Sequence, residues 1–277
     1  MGATYSSVGK ELRLRRILDP RGSVVFAFDH GVEHGPRDFN EDTINAERVI
    51  ARVVEAGVDA VMLTPGLARI TSRAWMGKAS LIVKITGKTL LRPADERLVQ
   101  SPFGSLDEAI ALGADAVAMT VYWGSPYEDV MLERWFNVKS IAESYGIPLL
   151  QLAYPRGPSI ENMYDVEVVM YGARAAAESG ADIIKTYYTG STETFKKVVE
   201  SANGIPVLMS GGKLRSKPED FLRDLASVME AGGAGAVVGR NIFQSEDITG
   251  MTKAVVSVIK DRVDPGDAAK RYLGRTA

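Results

Sequence analysis

The segment "AAAESGADIIKTY" (residues 175–187) carries the pattern that decides the fold. A helical stretch ends at a glycine, Gly180, and a short apolar run follows directly. Glycine suits the left-handed conformation that often ends a helix. A run of about five apolar residues is typical of a strand that is buried on both faces. The segment therefore predicts a helix, a tight turn and a buried parallel strand.

The same pattern returns three more times along the chain, as "VVEAGVDAVML" (53–63), "AIALGADAVAMTV" (109–121) and "VMEAGGAGAVVG" (228–239). Four further apolar runs lie between these segments: "SVVFAF", "SLIVKIT", "IPLLQLAY" and "IPVLMS". Together they predict strands near residues 23–28, 58–63, 80–85, 115–121, 148–153, 181–186, 205–210 and 235–238. Amphipathic stretches that separate most of them predict helices at 42–56, 127–145, 163–179, 192–202 and 218–231.

Eight strands that alternate with helices predict an α/β fold, and eight is the number that closes a TIM (β/α)8 barrel. The chain has 277 residues, and barrels of this kind typically need about 250. An open, doubly wound sheet is the competing interpretation. Because no linker or low-complexity segment divides the chain, we predict a single barrel domain over residues 1–277, with an N-terminal extension of about residues 1–20.

The composition excludes several classes of function. With 45% hydrophobic residues, 25% charged residues and a net charge of −2, the chain offers no general electrostatic attraction for nucleic acid or an anionic membrane. It has no cysteine, which excludes disulfides, thiolate metal sites and cysteine nucleophiles. It also lacks a signal-like start and an apolar run near the roughly 18 residues of a membrane span. We therefore predict a cytoplasmic protein.

Polar residues interrupt or follow the apolar runs at several places, and the functional site of a (β/α)8 barrel lies at the carboxyl ends of its strands. In chain order these residues are Asp29 and His30, Lys84 and Lys88, Tyr154 and Arg156, Lys185, Ser210 to Gly212, and Gly239 with Arg240. If the barrel closes as predicted, these side chains converge on one site.

Lys185 is the most informative of these residues, because it stands inside the apolar run "ADIIKTYY". One interpretation is a lysine at a strand end that reaches solvent or pairs with a carboxylate. The other is a desolvated lysine near other cations, whose lowered pKa leaves a free amine that attacks a carbonyl to form a Schiff base. The polar residues at the neighbouring strand ends favour the second interpretation.

The ends of the seventh and eighth predicted strands indicate a phosphate site. The turn "SGG" (210–212) exposes backbone N–H groups, and "GR" (239–240) adds an arginine beside another glycine. Phosphates are often bound in barrels by the loops after strands seven and eight. Glycine also serves plain loop geometry, so the prediction depends on the two turns occurring at consecutive strand ends.

Both histidines of the chain, His30 and His34, follow the first strand. An HxxxH pair binds zinc when it lies on a helix and a further ligand comes from elsewhere. Here the flanking glycines and proline disfavour a helix, and no third histidine exists, although carboxylates could complete a metal site. We predict a loop in which Asp29 faces the barrel mouth and the histidines orient a carboxylate or contact a phosphate, with no metal and no cofactor.

Five motifs together resemble a known group: "AFDHGVEHGP", "YPRG", "GADIIKTYYTG", "PVLMSGG" and "VGRNIFQ". They are similar to the archaeal-type class I fructose-bisphosphate aldolases and their relatives in the DhnA/DeoC-LacD aldolase group. The motifs span residues 27–244, nearly the whole chain. The resemblance implies a TIM barrel with metal-free Schiff-base chemistry on a phosphorylated ketose, and a homo-oligomer that is commonly a decamer.

The resemblance also implies roles for individual residues. Lys185 would form the Schiff base, Tyr154 would donate and accept protons, and Asp29 would be a catalytic carboxylate. The implied substrate-binding residues are His30, His34, Lys88, Arg156, Ser210, Gly211, Gly212, Gly239 and Arg240. The turns at Ser210 to Gly212 and at Gly239 to Arg240 would hold one substrate phosphate.

Two positions depart from the fructose-bisphosphate pattern. Leu152 stands where those enzymes usually carry tryptophan, and Tyr187 stands where they often carry a second lysine. The motifs "IKT" and "RNIFQ" look more like 2-amino-3,7-dideoxy-D-threo-hept-6-ulosonate synthase and the autoinducer-2 aldolase relatives. Alternatives to fructose-bisphosphate cleavage are therefore 2-amino-3,7-dideoxy-D-threo-hept-6-ulosonate synthase activity or another phosphorylated-ketose aldolase activity. A non-catalytic sugar-phosphate binding protein is a third hypothesis, because a fold by itself does not specify catalysis.

Overall fold

The eight predicted strands form one closed parallel barrel in the computed structural model, which describes residues 4–274. The strands are β1 Ser23–Ala27, β2 Ala60–Leu63, β3 Ser80–Lys84, β4 Ala116–Trp123, β5 Leu149–Pro155, β6 Ile183–Thr186, β7 Val207–Ser210 and β8 Gly235–Val238. Each strand pairs with the next in chain order, and β8 pairs with β1 to close the ring. The predicted TIM barrel is confirmed.

Helices surround the barrel and fill the connections between its strands. They are α1 Tyr5–Ile17, α2 His30–Glu33, α3 Ala46–Glu55, α4 Pro65–Ile70, α5 Ser72–Trp75, α6 Leu106–Ala111, α7 Glu128–Tyr145, α8 Val166–Glu178, α9 Thr192–Ser201, α10 Pro218–Glu230, α11 Arg240–Phe243, α12 Ile248–Lys260 and α13 Pro265–Leu273. The remaining secondary structure of the described residues consists of two short 3-10 turns and a small antiparallel strand pair. The turns are Pro36–Asp38 and Ala94–Leu98, and the pair is Thr86–Gly87 with Ser101–Pro102.

The glycines of the repeated helix–turn–strand pattern form the turns that the sequence predicts. Gly57 and Gly180 follow the ends of α3 and α8 with φ values of 99° and 84°, a region that residues with a Cβ rarely adopt. The strands that follow are buried at every position. Burial on both faces explains why these runs are continuously apolar rather than alternating.

A recurrent aspartate after each of three glycine turns fixes the strands to one another. Asp59, Asp115 and Asp182 accept hydrogen bonds from the backbone N–H groups of Val24, Leu81 and Leu149, at 2.8, 3.2 and 2.9 Å. Each aspartate thus satisfies a donor at the start of the strand beside it, a group that would otherwise be left without a partner. The motif Gly-Val/Ala-Asp is therefore part of the barrel's closure.

The N-terminal segment forms helix α1, which lies against the amino-terminal ends of the strands. Lys10 pairs with Asp182 at 2.9 Å and Arg16 pairs with Asp115 at 3.0 Å, so α1 uses two of the strand-fixing aspartates. Residues 1–3 and 275–277 of the predicted domain lie outside the described residues. Within residues 4–274, no helix combines the length and apolar character needed to cross a bilayer.

The pairing register determines which side chains meet at the carboxyl ends of the strands. Leu152 of β5 pairs with Lys185 of β6, and Tyr122 of β4 pairs with Tyr154 of β5. Side chains two residues apart on a strand point to the same face. The register therefore brings Tyr122, Tyr154 and the residue two positions after Lys185, Tyr187, to one level above the lysine.

Candidate active site

A cavity of about 560 Å³ opens at the carboxyl ends of the barrel strands. Its lining includes the three predicted catalytic residues, Lys185, Tyr154 and Asp29. It also includes every predicted substrate-binding residue: His30, His34, Lys88, Arg156, Ser210, Gly211, Gly212, Gly239 and Arg240. The structure thus brings together residues that lie up to 211 positions apart in the chain, as Asp29 and Arg240 do.

Lys185 lies at the end of β6, and its side chain is only 7% exposed. Burial lowers the pKa of this amine to about 8, with Lys84 and Arg240 acting in the same direction and Asp29 and Glu33 opposing them. An amine with this pKa is neutral in roughly one molecule in ten at pH 7, against about one in 3,000 at the ordinary value. Lys185 is therefore suited to nucleophilic attack on a carbonyl.

A second buried lysine, Lys84 at the end of β3, has the opposite electrostatic character. Its Nζ lies 2.6 Å from Asp29 Oδ2 and 2.5 Å from Glu33 Oε1, and the side chain is 2% exposed. Burial by itself would lower the pKa of Lys84, but the two carboxylates raise it above the ordinary value. Lys84 therefore stays protonated and is not a nucleophile.

Asp29 stays ionised because of this pairing. Burial acts to raise the pKa of its carboxyl group, but Lys84 and, less strongly, His30 and Lys185 hold that pKa well below its usual range. The carboxylate therefore keeps its negative charge at neutral pH, with Oδ2 bound by Lys84. Asp29 and Lys185 line the same cavity, and a carboxylate and an amine are groups that can transfer protons during carbonyl chemistry.

Tyrosine rings form one wall of the cavity. Tyr154 stacks on Tyr187 with ring centroids 4.6 Å apart, and the Arg156 guanidinium lies 5.0, 5.3 and 5.7 Å from the Tyr122, Tyr154 and Tyr187 ring centres. The Nε of Arg156 donates to the Tyr187 hydroxyl at 2.6 Å. This packing holds the guanidinium plane in one orientation at the mouth, where it can receive a planar anionic group.

Tyr154 is placed to carry a proton. Its hydroxyl shares a hydrogen bond of 3.0 Å with Ser210 Oγ, which comes from the end of β7. Burial raises the pKa of Tyr154 to about 12, although Ser210 and Arg156 moderate the shift. The hydroxyl therefore keeps its proton at neutral pH and is available as a proton donor in the cavity that Lys185 also lines.

The predicted phosphate turns lie side by side after β7 and β8. Asn241, which sequence reasoning did not single out, donates from Nδ2 to the carbonyl groups of Gly211 and Lys213 at 2.7 and 2.9 Å. This buried amide joins the two turns. The Gly211 N–H is not free, since it donates to the Val237 carbonyl at 3.1 Å, which leaves the other groups of the turn to receive a ligand.

Gly239 is required by close packing. A Cβ at this position would lie 2.2 Å from His30 Cε1 and 2.9 Å from the Ala27 carbonyl oxygen, distances that real side chains do not adopt. The next residue, Arg240, lines the cavity, and its buried Nε has no hydrogen-bond partner among the described residues. An unpaired guanidinium donor at this position fits an anionic ligand.

The segment after β1 differs from the predicted loop, because His30–Glu33 form one turn of α-helix. A single turn tolerates Gly31, since it ends before Gly35 and Pro36. The two imidazole rings stack with centroids 5.4 Å apart. Burial lowers the pKa of His30 to about 3 and also lowers that of His34, so both rings are neutral at pH 7.

Each histidine has a buried Nδ1 without a hydrogen-bond partner in the described structure. A neutral imidazole offers one donor and one acceptor, so these rings can contact hydroxyl or phosphate oxygens of a ligand. Over residues 4–274, no group of three or more His, Cys, Asp or Glu side chains has the arrangement of a metal site.

Lys88 follows β3 and lines the same cavity as Arg240. Its Nζ donates to the Arg97 carbonyl at 2.6 Å and lies 4.9 Å from the centre of the Tyr122 ring. Burial lowers the pKa of Lys88 to about 8, and Arg156 adds to this effect. Lys88 and Arg156 therefore form a second cationic patch in the cavity.

Sequence reasoning missed seven polar residues that line the cavity: Glu33, Arg37, Gln100, Thr120, Tyr122, Tyr164 and Lys213. Glu33 stands inside the motif "DHGVEHGP", but a loop, which the sequence predicts there, gives no periodicity that would relate Glu33 to Asp29. Gln100 lies in a connection with no strand pattern. Thr120 lies within the fourth predicted strand, and Tyr122 lies one residue beyond its predicted end. Period-two alternation from Ala118 would have placed both side chains on the inner face.

Comparison with known proteins agrees with this geometry. Residues 23–245 match the family described as DeoC/LacD family aldolase. The chain is 40% identical over 247 residues to the class 1 fructose-bisphosphate aldolase of Thermoproteus tenax. That alignment covers 88% of this chain and 92% of the relative. It is 35% identical over 269 residues to the 2-amino-3,7-dideoxy-D-threo-hept-6-ulosonate synthase of Halobacterium salinarum. That alignment covers 96% of this chain and 97% of the synthase.

Solved structures show the same relationship. A crystal structure of an archaeal fructose 1,6-bisphosphate aldolase superposes with a TM-score of 0.85 at 38% identity, covering 91% of this chain and 99% of that one. An archaeal fructose-1,6-bisphosphate aldolase whose catalytic lysine is covalently bound to the carbinolamine intermediate of its substrate matches equally well, with a TM-score of 0.85. The barrel, its buried amine at the end of β6 and these matches show that the chain belongs to the DeoC/LacD aldolase family.

Proposed function

We propose that this protein is a class I aldolase that reversibly cleaves fructose 1,6-bisphosphate to glycerone phosphate and glyceraldehyde 3-phosphate. The observation that carries the proposal is the pair of buried lysines: Lys185 with a pKa of about 8 and Lys84 held as a cation between two carboxylates. The relatives named above support the substrate class.

In the first step the neutral amine of Lys185 attacks the C2 ketone of the open-chain substrate. The carbinolamine that forms loses water and becomes an iminium, which draws electrons from the C3–C4 bond. The ionised carboxylate of Asp29 and the neutral hydroxyl of Tyr154 are the groups beside the amine that can accept and donate the protons of this step. Help of this kind is typically worth about 10²–10⁴-fold in rate.

In the second step a base removes the C4 hydroxyl proton, the C3–C4 bond breaks, and glyceraldehyde 3-phosphate leaves. The remaining three carbons stay on Lys185 as an enamine. Tyr154 then protonates C3, and water hydrolyses the resulting iminium to release glycerone phosphate and the free amine. The hydrogen bond between Tyr154 and Ser210 orients the tyrosine hydroxyl for this transfer.

The C1 phosphate fits the turns after β7 and β8, beside Ser210 and Arg240. Holding this group places C2 against Lys185, and fixed positioning of reacting atoms contributes a large share of enzymatic rate enhancement. We assign the far phosphate of a bisphosphorylated substrate to the second cationic patch, formed by Lys88 and Arg156, because both side chains line the same cavity. In cells we expect the protein to act as a homo-oligomer.

Transaldol synthesis of a heptulosonate is the second candidate function. The 35% identity to a heptulosonate synthase supports it. Leu152 and Tyr187, which line the cavity, also depart from the residues that fructose-bisphosphate enzymes usually carry at these positions. Parallel assays of fructose 1,6-bisphosphate cleavage and of condensation with aspartate semialdehyde separate the two. The substrate with the higher kcat/KM identifies the function.

Reductive trapping tests the shared chemistry. Borohydride added together with fructose 1,6-bisphosphate should attach one three- or six-carbon sugar phosphate to Lys185, detectable by intact mass and peptide mapping. Lys185→Arg should abolish the adduct, because guanidinium stays protonated and forms no imine. The matched control Lys196→Arg, at an exposed position on α9, should be trapped like the wild type. Measurable turnover without an adduct would refute a Schiff-base mechanism.

A further inference from the structure

The two carboxylates that bind the Lys84 ammonium, Asp29 and Glu33, are part of a larger hydrogen-bond network. Gln100 donates from Nε2 to both Glu33 oxygens, at 3.1 and 3.2 Å, and to the Tyr122 hydroxyl at 2.8 Å. Gln100 is only 1% exposed, and Glu33 is 9% exposed. A buried chain therefore runs from Tyr122 through Gln100 and Glu33 to Lys84, and from there to Asp29.

A buried carboxylate such as Glu33 needs a reason to be there, since desolvating it costs several kcal/mol. Asp29 by itself would suffice to neutralise Lys84. The additional carboxylate has two consequences: it gives the ammonium a second fixed partner at 2.5 Å, and it adds to the rise in the pKa of Lys84. Both consequences bear directly on which of the two amines reacts.

We propose that Glu33 is a positioning residue of the aldol reaction: held by Gln100, it fixes the Lys84 ammonium against Asp29, so that Lys84 acts as a permanent cation and Lys185 is the amine that reacts. The inference rests on the proposed Schiff-base function for its kinetic part. Its electrostatic part concerns the unliganded protein and stands independently of the substrate.

The charged and titratable groups around the Lys185 amine come from four parts of the fold: Asp29, His30, Glu33, Lys84 and Arg240. Among them Glu33 and Asp29 favour the protonated form of Lys185, while Lys84 and Arg240 disfavour it. Removing the charge of Glu33 should therefore lower the pKa of both lysine amines. A role in packing alone would leave both values unchanged.

Glu33→Gln is the variant that removes this charge with little change in shape. The Gln100 Oε1 has no hydrogen-bond partner in the described structure, so rotation of that amide by half a turn lets it accept from the new side chain and from Tyr122. Glu41→Gln serves as the matched control, because Glu41 is exposed on the same connection. Thermal melting verifies that each variant is folded.

Competitive reductive methylation with formaldehyde and cyanoborohydride, quantified by peptide mass spectrometry across pH 6 to 10, reports each amine without substrate. In Glu33→Gln the labelling midpoint of Lys185 should fall by about 0.5 pH unit or more. Labelling of Lys84 should rise about threefold or more at pH 9. Glu41→Gln should match the wild type at both lysines. A folded Glu33→Gln protein that also matches it at both lysines would overturn the proposal.

Kinetics test the positioning part. With fructose 1,6-bisphosphate, Glu33→Gln should lower kcat by roughly tenfold to a hundredfold and change KM by less than about threefold relative to the wild type. The reason is that Lys84 and Asp29 would be displaced from their positions around the bound substrate. Gln100→Met keeps every charge but removes the amide donors, so it should lower kcat while leaving the Lys185 labelling midpoint in place. This variant decides the matter if Glu33→Gln does not fold: wild-type kcat in Gln100→Met would then overturn the proposal. If the wild type does not cleave this substrate and the labelling shifts still appear, the proposed function fails and the role of Glu33 remains.

Discussion

Replacing Lys84 by methionine should destabilise the protein, because Lys84 is the cation between two buried carboxylates. Methionine matches the length of the lysine side chain and suits a buried position. The variant would leave Asp29 and Glu33 without their shared ammonium, at side-chain exposures of only 10% and 11%. The packing is kept, and the charge balance is lost.

The expected size of the effect follows from this burial. Removing one partner of a buried ion pair costs about 3–5 kcal/mol, and Gln100 still donates to one of the two carboxylates. For a single domain of this size, that loss corresponds to a fall in Tm on the order of 10 °C. An exposed lysine should cost far less, and Lys253→Met on α12 supplies the matched control.

The pH dependence of the loss has a definite sign. In the wild type the pKa of Asp29 lies below its ordinary value, so its stabilising contribution is present above about pH 4 and is lost as the pH falls further. In Lys84→Met the two carboxyl groups face each other without a cation, which raises the pKa of at least one of them above its unfolded value. That group stabilises the variant while it is protonated and stops doing so as the pH rises through its folded pKa.

The difference in Tm between wild type and Lys84→Met should therefore be smallest near pH 5 and widen toward pH 8. Thermal unfolding followed by fluorescence or calorimetry at pH 5, 6, 7 and 8 measures this difference, with Lys253→Met beside it. A difference below about 3 °C, or one that does not change with pH, would show that the carboxylates find other partners and that the reasoning about Lys84 is wrong.

Three further outcomes test the remainder of the site. For the wild type, kcat/KM should rise up to tenfold per pH unit below pH 8 and level off above it. The reason is that Lys185, with its pKa of about 8, reacts as a neutral amine. A flat profile of kcat/KM from pH 6 to 9 would contradict this. Tyr154→Phe should still form the borohydride adduct on Lys185 but turn over about 10²–10⁴-fold more slowly, and loss of the adduct would assign the tyrosine to an earlier step. Arg240→Ala should weaken binding of ketoses that carry a C1 phosphate by about 10- to 100-fold and that of analogues without the phosphate by less than threefold, as measured by calorimetry; equal losses would remove Arg240 from the phosphate site.

The sequence predicted the barrel because its signals are local. The glycine that ends a helix and the apolar run after it lie within about ten residues of each other, as in residues 175–187, and hydrophobic periodicity depends on nothing further away. The number of strands then limits the architecture, and the rule that sites lie at the carboxyl ends of strands selects Lys185, Tyr154 and Arg240 as neighbours.

Local sequence signals gave the wrong secondary structure for the short segment after β1, whose conformation depends on its packing. The turn after β1 contains two glycines and a proline, and these predict a loop. The four residues His30–Glu33 nevertheless complete a single helical turn, which places Glu33 on the cavity wall. Tertiary packing decided this element, since one turn of helix has little stability of its own.

What distinguishes the two lysines was decided by the tertiary structure alone. In the sequence, Lys84 and Lys185 look alike: each follows an apolar run of about four residues near a strand end. Barrel closure brings Asp29 and Glu33 to Lys84 and leaves Lys185 without an ion-pair partner among the described residues. The pKa of an amine depends on charges a few ångströms away and on burial, and neither quantity exists until residues far apart in the chain have been packed together.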